Sequence, residues 1–402
     1  MPWKETRVEH LRIEFVLRAL EAEANHSGLC REYGISRRTG YKWLDRYRAQ
    51  GVLGLSDASR RPLRQPLALT VEQVLAIVRL RQAHPFWGPK KLHALLQRQG
   101  VAAPAPSTIA RVLARAQLTD AKGRGRPPRV WPAMASLVAA PEPNDLWTVD
   151  FKGWWRTGDR QRCEPFTARD AFSRYLLALQ PVRHTDTLHL QALFTGLFER
   201  YGLPRRIRSD SGSPFASPQS PYGLTRLSAW WRLLGIQLER IAPGHPEQNG
   251  AHERMHGDVA REIEARPAAD LAEETARLEH WRCEYNLQRP HEALAMKTPA
   301  EVYRRSPRRF PATLPSWEYP WAYDRRRVSP NGSIHVANRR YFVSEAFQGL
   351  DVGLERTGVD TVRLWFCDLN LGDLDLRLGT PLQPPAVAPS PNELKVSPMS
   401  RE

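Results

Sequence analysis

Apolar and polar positions follow three different rhythms along this chain. Over residues 10–50 the spacing is helical: LRIEFVLRALEAE predicts one helix. LCREYGISRRTGYKWLDRY then predicts a short helix, a turn at Gly34-Ile35-Ser36, and a second helix with Ser36 as its N-cap. Arg37, Arg38, Thr39, Tyr41 and Lys42 crowd the start of that second helix. In a helix-turn-helix the second helix enters the major groove and its first residues meet base edges, so these five are candidate DNA contacts. An ordinary helical hairpin would have no use for basic residues gathered there.

A stretch rich in Arg, Pro and Ser separates this first unit, residues 1–52, from a second helical unit over 70–119. Helices are expected at 71–83, 90–99 and 107–118, the last capped by Ser107. Thr108, Arg111 and Arg115 lie on its surface and mark a second helix-turn-helix reader. Residues 120–143 then break the pattern with a basic Gly/Pro linker. Arg124 and Arg126, in an Arg-Gly-Arg-Pro run, suit a narrow A·T-rich minor groove. A flexible linker touching only phosphates accounts for the same residues equally well.

From residue 144 the rhythm becomes that of an α/β domain. Strand-like runs occur at 146–155, 164–171 and 175–182, followed by a helix at 185–201, a strand at 206–210, a helix at 224–234, a strand at 237–241 and a helix from about 249 to 263. Three strands followed by alternating helices and strands predict a mixed sheet with helices on its faces. A further amphipathic helix at 271–286 belongs to this core, assigned to 144–305. A Pro-rich stretch follows. Residues 325–380 alternate like short strands with a turn signal at Pro330-Asn331-Gly332, as in a small β-barrel. The Pro- and Ser-rich residues 381–402 read as a disordered tail. The expected fold class is therefore multidomain: an all-α helix-turn-helix region, an α/β core and a small all-β barrel domain.

Charge sharpens this division. The 402 residues carry a formal net charge of +16. Residues 1–130 hold 24 Lys and Arg against 10 Asp and Glu, so nearly all of the excess lies in the first third. A localised surplus of this kind points to a polyanion partner, read here as double-stranded DNA. Cys30, Cys163, Cys283 and Cys367 are too scattered for a zinc ribbon or a disulfide framework, which suits free thiols in a reducing cytoplasm. The polar start MPWKETRVEH has no signal-peptide core, and no run approaches a membrane span.

Three acids stand in special settings. Asp150 lies in LWTVDFKGWW, a strand midway through which a carboxylate is not a bland surface residue. Asp210 ends a short strand before a Gly/Ser/Pro turn, and Glu253 sits near the start of a helical stretch. Two strand-borne carboxylates and one on a helix can converge on two Mg²⁺ ions, with Mn²⁺ able to substitute, and such a pair supports in-line attack on a phosphodiester. Asp150 would bridge both ions and the other two would each hold one. His252 to His256 also spells H-E-x-x-H, a zinc-hydrolase pattern, but no third ligand follows at an appropriate spacing and the basic N-terminal region has no role in that reading.

With these residues in view, the chain resembles the transposases of bacterial insertion sequences that share the retroviral-integrase catalytic core. The resemblance is carried by Trp147-Thr148-Val149-Asp150, Ser209-Asp210-Ser211-Gly212, HPEQNGAHER from His245 to Arg254, YNLQRPHEAL from Tyr285 to Leu294, and TPAEVY from Thr298 to Tyr303. It implies a ribonuclease-H-like core with Asp150, Asp210 and Glu253 as a D-D-E triad. It also implies binding of terminal inverted repeats, DNA cleavage, strand transfer into a target, and a homo-oligomer in a synaptic complex. The spacing from Asp210 to Glu253 is longer than in many relatives, by about the length of the loop SPFASPQSPYG; Glu247 and Asp258 are the rival acids. A DNA-binding regulator with an inactive core is the alternative.

Overall fold

The computed structural model describes residues 8–57, 69–119, 140–217, 220–241 and 249–377. The expected linker contacts Arg124 and Arg126, the rival acid Glu247 and the tail 381–402 lie outside the described residues. The chain divides into two compact units at Thr70.

The first unit holds α1 (Val8–Ala19), α2 (His26–Glu32) and α3 (Arg37–Gln50), followed by a 3₁₀ turn at Gly51–Leu55. The side chains of Asn25 and Ser36 cap α2 and α3 by accepting the N–H groups of Gly28 and Thr39, which satisfies donors that a helix start leaves open. Phe15, Val16, Leu29, Cys30, Trp43 and Leu44 form the shared core. Gly40 sits where α3 crosses this core: a Cβ there would meet Cys30 Sγ at 2.7 Å and Phe15 at 2.9 Å, so only glycine allows the close approach.

The second unit opens with α4 (Val71–Ala83), α5 (Pro89–Arg98) and α6 (Pro106–Arg115). Ser107 does not cap α6 as expected. The N-cap position is Ala105, without a side-chain bond, and Pro106 occupies the first helical position, where its fixed φ starts the helix a residue early. Ion pairs join this trio to the α/β core: His84 to Glu284 at 2.7 Å, Lys90 to Glu292 at 2.7 Å and Arg98 to Glu301 at 2.6 Å. Trp87, only 2% exposed, stacks on His84 beside them.

The α/β core holds, in chain order, β1 (Leu146–Phe151), a separate small hairpin of β2 (Trp155–Arg156) and β3 (Arg162–Cys163), β4 (Pro165–Asp170), β5 (Leu176–Pro181), and then, after α7 (Thr187–Tyr201), β6 (Arg206–Ser209). Helix α8 (Arg226–Leu233) leads to β7 (Gln237–Arg240). The main sheet runs β5-β4-β1-β6-β7. β4 is antiparallel to both β1 and β5, whereas β1, β6 and β7 are parallel. The expected strand 146–155 is interrupted after Phe151: Gly153 adopts φ +90° there, and the chain turns out of the sheet into the hairpin.

Alternation along β1 decides what each face buries. Trp147 and Val149 face α7 and α8 in a core with Phe166, Phe194, Phe198, Trp230 and Trp231. On the other face lie α9 (Gly250–Val259), which continues as a π-helical turn at Ala260–Glu264, and α10 (Leu271–Leu287). Met255, Val259, Leu278, Trp281 and Tyr285 pack there against Leu176 and Leu179. After the short α11 (Pro299–Val302), strands β8 (Asp324–Arg327), β11 (Asp351–Arg356), β12 (Thr361–Phe366) and β13 (Leu369–Asp375) form an antiparallel sheet, with β9 (Ser333–Val336) and β10 (Arg339–Phe342) as a separate hairpin. β9 to β13 and Val328, just after β8, contribute to one apolar core, which also receives Leu224 and Ala229 from the α8 region.

Candidate active site

Asp150 lies near the end of the central strand rather than midway along it. β1 and β6 run parallel with Thr148 opposite Arg208, so two residues further along each segment come Asp150 and Asp210. Neighbouring strands lie about 4.8 Å apart, which keeps the two acids on adjacent tracks. Asp210 follows immediately after β6 and is exposed. Glu253 is exposed in the first turn of α9.

What fixes α9 on the sheet is a set of polar bonds on the face of β1 that carries Asp150. Thr148, two residues before Asp150, points the same way by the strand's two-residue period. Its hydroxyl lies 2.8 Å from His252 Nδ1, and the Thr167 hydroxyl lies 2.7 Å from His252 Nε2. Thr167 stands directly opposite Asp150 in the β1–β4 register and donates to the Asp150 main-chain oxygen at 2.8 Å. His256, one turn beyond His252, also reaches the Thr167 hydroxyl, at 2.9 Å. The buried Arg169 donates to the Ala251 carbonyl at 2.6 Å. These contacts fix the helix beside the strand and hold Glu253 near Asp150.

Asp210 and Glu253 both bear electrostatically on Asp150. The Asp150 carboxyl is pushed up to about 6, first by burial, then by the negative charge of Asp210, with Glu253 adding to it; the Phe151 N–H, donated to Asp150 Oδ1 at 2.8 Å, opposes the rise. Carboxylates that repel one another across a partly buried space call for a cation, and an oxygen donor set suits a hard divalent ion. The two histidines carry no charge to fill that need. Burial lowers His252 well below the ordinary histidine range and pushes His256 down to about 3, with the charges of Lys152 and Arg169 contributing at the latter.

The H-E-x-x-H pattern does not make a zinc-protease centre. Both ring nitrogens of His252 are taken up by threonine hydroxyls, so that imidazole has no lone pair to spare. The rival acid Asp258 is also occupied elsewhere, bound to Arg261 and, at 2.5 Å, to Arg289.

The expected DNA-reading residues fall on open surfaces within their own units. Arg37, Arg38, Tyr41 and Lys42 are exposed on α3, while Thr39 is half-buried and its main chain and hydroxyl both bond the Ser36 hydroxyl. On α6, Arg111 and Arg115 are exposed, and Arg111 donates to the Thr108 hydroxyl at 3.1 Å. Thr148, Thr167 and Arg169 are the site residues that sequence reasoning overlooked. One signal for the first was legible: a threonine two positions before a strand-borne aspartate shares its face.

Fold and site together define an integrase-type core joined to helix-turn-helix units. Residues 140–246 and 234–299 match the integrase core domain, residues 11–62 a helix-turn-helix domain and residues 39–113 a homeodomain-like domain. An insertion element IS407 protein of 31.7 kDa from Burkholderia multivorans is 29% identical, over 57% of this chain and 80% of its own length. An insertion element IS476 protein of 39.2 kDa from Xanthomonas euvesicatoria is 28% identical, over 66% of this chain and 75% of its own. Among solved structures, a simian T-cell lymphotropic virus intasome chain overlaps 72% of this chain and 91% of its own at 12% identity and a TM-score of 0.36. The integrase catalytic core domain of HTLV-2 in complex with magnesium overlaps 40% of this chain and 97% of its own at 14% identity and a TM-score of 0.29. The chain thus carries an integrase core domain and helix-turn-helix domains and is similar to proteins of bacterial insertion elements, which supports an insertion-sequence transposase of the integrase type.

Proposed function

We propose that this transposase binds the terminal inverted repeats of its own element, cuts the DNA there and joins the ends to a target, using Asp150, Asp210 and Glu253 to hold divalent metal. The observation that carries the reading is the raised Asp150 carboxyl. Two acids, 60 and 103 residues further along the chain, press their charge on it. When bound, two Mg²⁺ ions, or Mn²⁺ in their place, activate the attacking oxygen and neutralise the leaving one. Asp150, on the strand shared with the sheet core, is the rigid member of the trio. Asp210 and Glu253 would join it from a strand end and a helix start.

Recognition is assigned to the two helical units. Arg37, Arg38, Thr39, Tyr41 and Lys42 on α3 supply one set of contacts, and Thr108, Arg111 and Arg115 on α6 supply another. Arg124 and Arg126 would follow the minor groove between recognition and cutting. Joining two ends requires at least two copies in one complex.

The reading is tested with Asp150→Asn on labelled DNA carrying the element's ends. It should bind those ends like the parent and fail to nick them in Mg²⁺ or Mn²⁺. Nicking at the parent rate would remove Asp150 from the chemistry. A parent protein that binds the ends and never nicks them would identify a regulator instead.

A further inference from the structure

The Thr167 hydroxyl touches three atoms at once: the Asp150 main-chain oxygen at 2.8 Å, His252 Nε2 at 2.7 Å and His256 Nε2 at 2.9 Å. A hydroxyl has one proton to give and two lone pairs to receive. The carbonyl oxygen can only accept, so the proton goes there. Both imidazoles must then donate from Nε2. His252 completes its set by accepting the Thr148 hydroxyl at Nδ1, 2.8 Å away, because the competing acceptor, the Arg169 carbonyl, is farther off at 3.4 Å. His256 is left as a neutral ring protonated at Nε2, with a bare lone pair at Nδ1.

That nitrogen is near Asp150. His256 Nδ1 lies 3.9 Å from Asp150 Oδ2, beyond hydrogen-bond reach, and neither atom carries a proton to share. Asp150 Oδ1 already accepts the Phe151 N–H, whereas Oδ2 takes no hydrogen bond among the described residues. Two unshared donor atoms therefore lie close together. With metal–nitrogen and metal–oxygen bonds of about 2.1 Å each, an ion in this gap would draw the two atoms together to about 3 Å at a right-angled octahedral position. Glu253 and His256 are also three residues apart on α9, which puts them on one side of the helix.

We infer that His256 Nδ1 is a ligand, beside Asp150 Oδ2, of one divalent ion at this centre, so that the site is a mixed nitrogen–oxygen site rather than an all-carboxylate one. The inference rests on the metal-holding role given to Asp150 above. The Thr148–His252–Thr167 chain acts as its positioning device, because it fixes which nitrogen of His256 stays bare. Nitrogen donors favour first-row transition ions over Mg²⁺, so Mn²⁺ should bind more tightly than Mg²⁺, and Co²⁺ more tightly than Mn²⁺.

The test is pulsed electron paramagnetic resonance on the full chain loaded with one equivalent of Mn²⁺, without DNA. The parent should show ¹⁴N modulation from a bound imidazole, which needs no substitution and so does not depend on a variant folding. His256→Ala, with its circular dichroism checked, should lose that modulation and bind Mn²⁺ at least about tenfold more weakly, the low end of what even an outer-shell partner is worth. Its Mg²⁺ affinity should change far less. Absence of ¹⁴N modulation in the parent, or its persistence in His256→Ala, overturns the inference. Asp150→Asn separates the two levels of the account. Mn²⁺ binding lost in Asp150→Asn, without ¹⁴N modulation in the parent, leaves the carboxylate site standing and removes only His256. Mn²⁺ binding unchanged in Asp150→Asn removes both.

Discussion

The Thr148 hydroxyl and His252 Nδ1 stand 2.8 Å apart, and this bond ties α9 to the central strand two residues before Asp150. His252 is fully buried, and its other nitrogen meets Thr167. His252→Ala would take one partner from each of two buried threonine hydroxyls and open a cavity beside them. The expected loss is about 2–5 kcal/mol of stability in urea unfolding, together with a sharp loss of cleavage as Glu253 drifts from Asp150. DNA binding by α3, a separate unit, should persist in a gel-shift assay.

Asp150 makes the metal-free protein less stable at neutral pH. Its folded pKa, about 6, lies above the ordinary value of 3.8, so the native state holds the proton more tightly than the unfolded state does. Above pH 6 the ionised carboxylate therefore costs stability, and the cost fades as pH falls through 6 towards 3.8. The group is about a quarter exposed, which places the cost at no more than about 3 kcal/mol. Asp150→Asn should melt higher than the parent at pH 7.5 without metal and at a similar temperature near pH 4. Mg²⁺ should raise the melting point of the parent alone.

Histidines outweigh this effect on the acid side. His252, His256 and His291 are all held neutral by burial, the latter two down to about 3. A folded pKa below the unfolded one gives stability that is complete above about 6.5 and is lost as pH falls towards 3. Two groups lowered by more than Asp150 is raised, plus His252, make the net slope destabilising. Unfolding midpoints measured from pH 7 to pH 4 should fall steadily, and His256→Gln should flatten that fall.

The two helical readers should differ in kind from the catalytic residues. Arg37→Ala or Arg38→Ala is expected to weaken binding of the element's ends by about 1–3 kcal/mol and relax specificity at one base if the contact is to a base edge. Arg111→Ala and Arg115→Ala should weaken it through the second unit. Fluorescence anisotropy against salt concentration separates the cases, because a lost phosphate contact lowers the salt slope by roughly one.

Much of this was legible in the chain because periodicity reports on burial. The helical spacing of α1 to α3, the Ser36 cap and the alternation around Asp150 all come from local rules that the fold obeys. The break at Gly153 and the start of α6 at Pro106 were missed because backbone conformation, rather than side-chain pattern, decides them. The polar bonds around His252 were out of reach for another reason. They join residues 104 and 85 positions apart, and only the packing of α9 against β1 and β4 shows that two unremarkable threonines hold the helix. The same packing turned H-E-x-x-H from a candidate metal motif into one structural histidine and one near Asp150.

The central claim is that Asp150, Asp210 and Glu253 share one cation site. Calorimetric titration of Mg²⁺ into the parent, Asp210→Asn and Glu253→Gln measures this directly. The account predicts that each substitution weakens Mg²⁺ binding and brings the Asp150 carboxyl back towards its ordinary range, since each removes a charge pressing on it. Parent-like Mg²⁺ binding in either variant would contradict it.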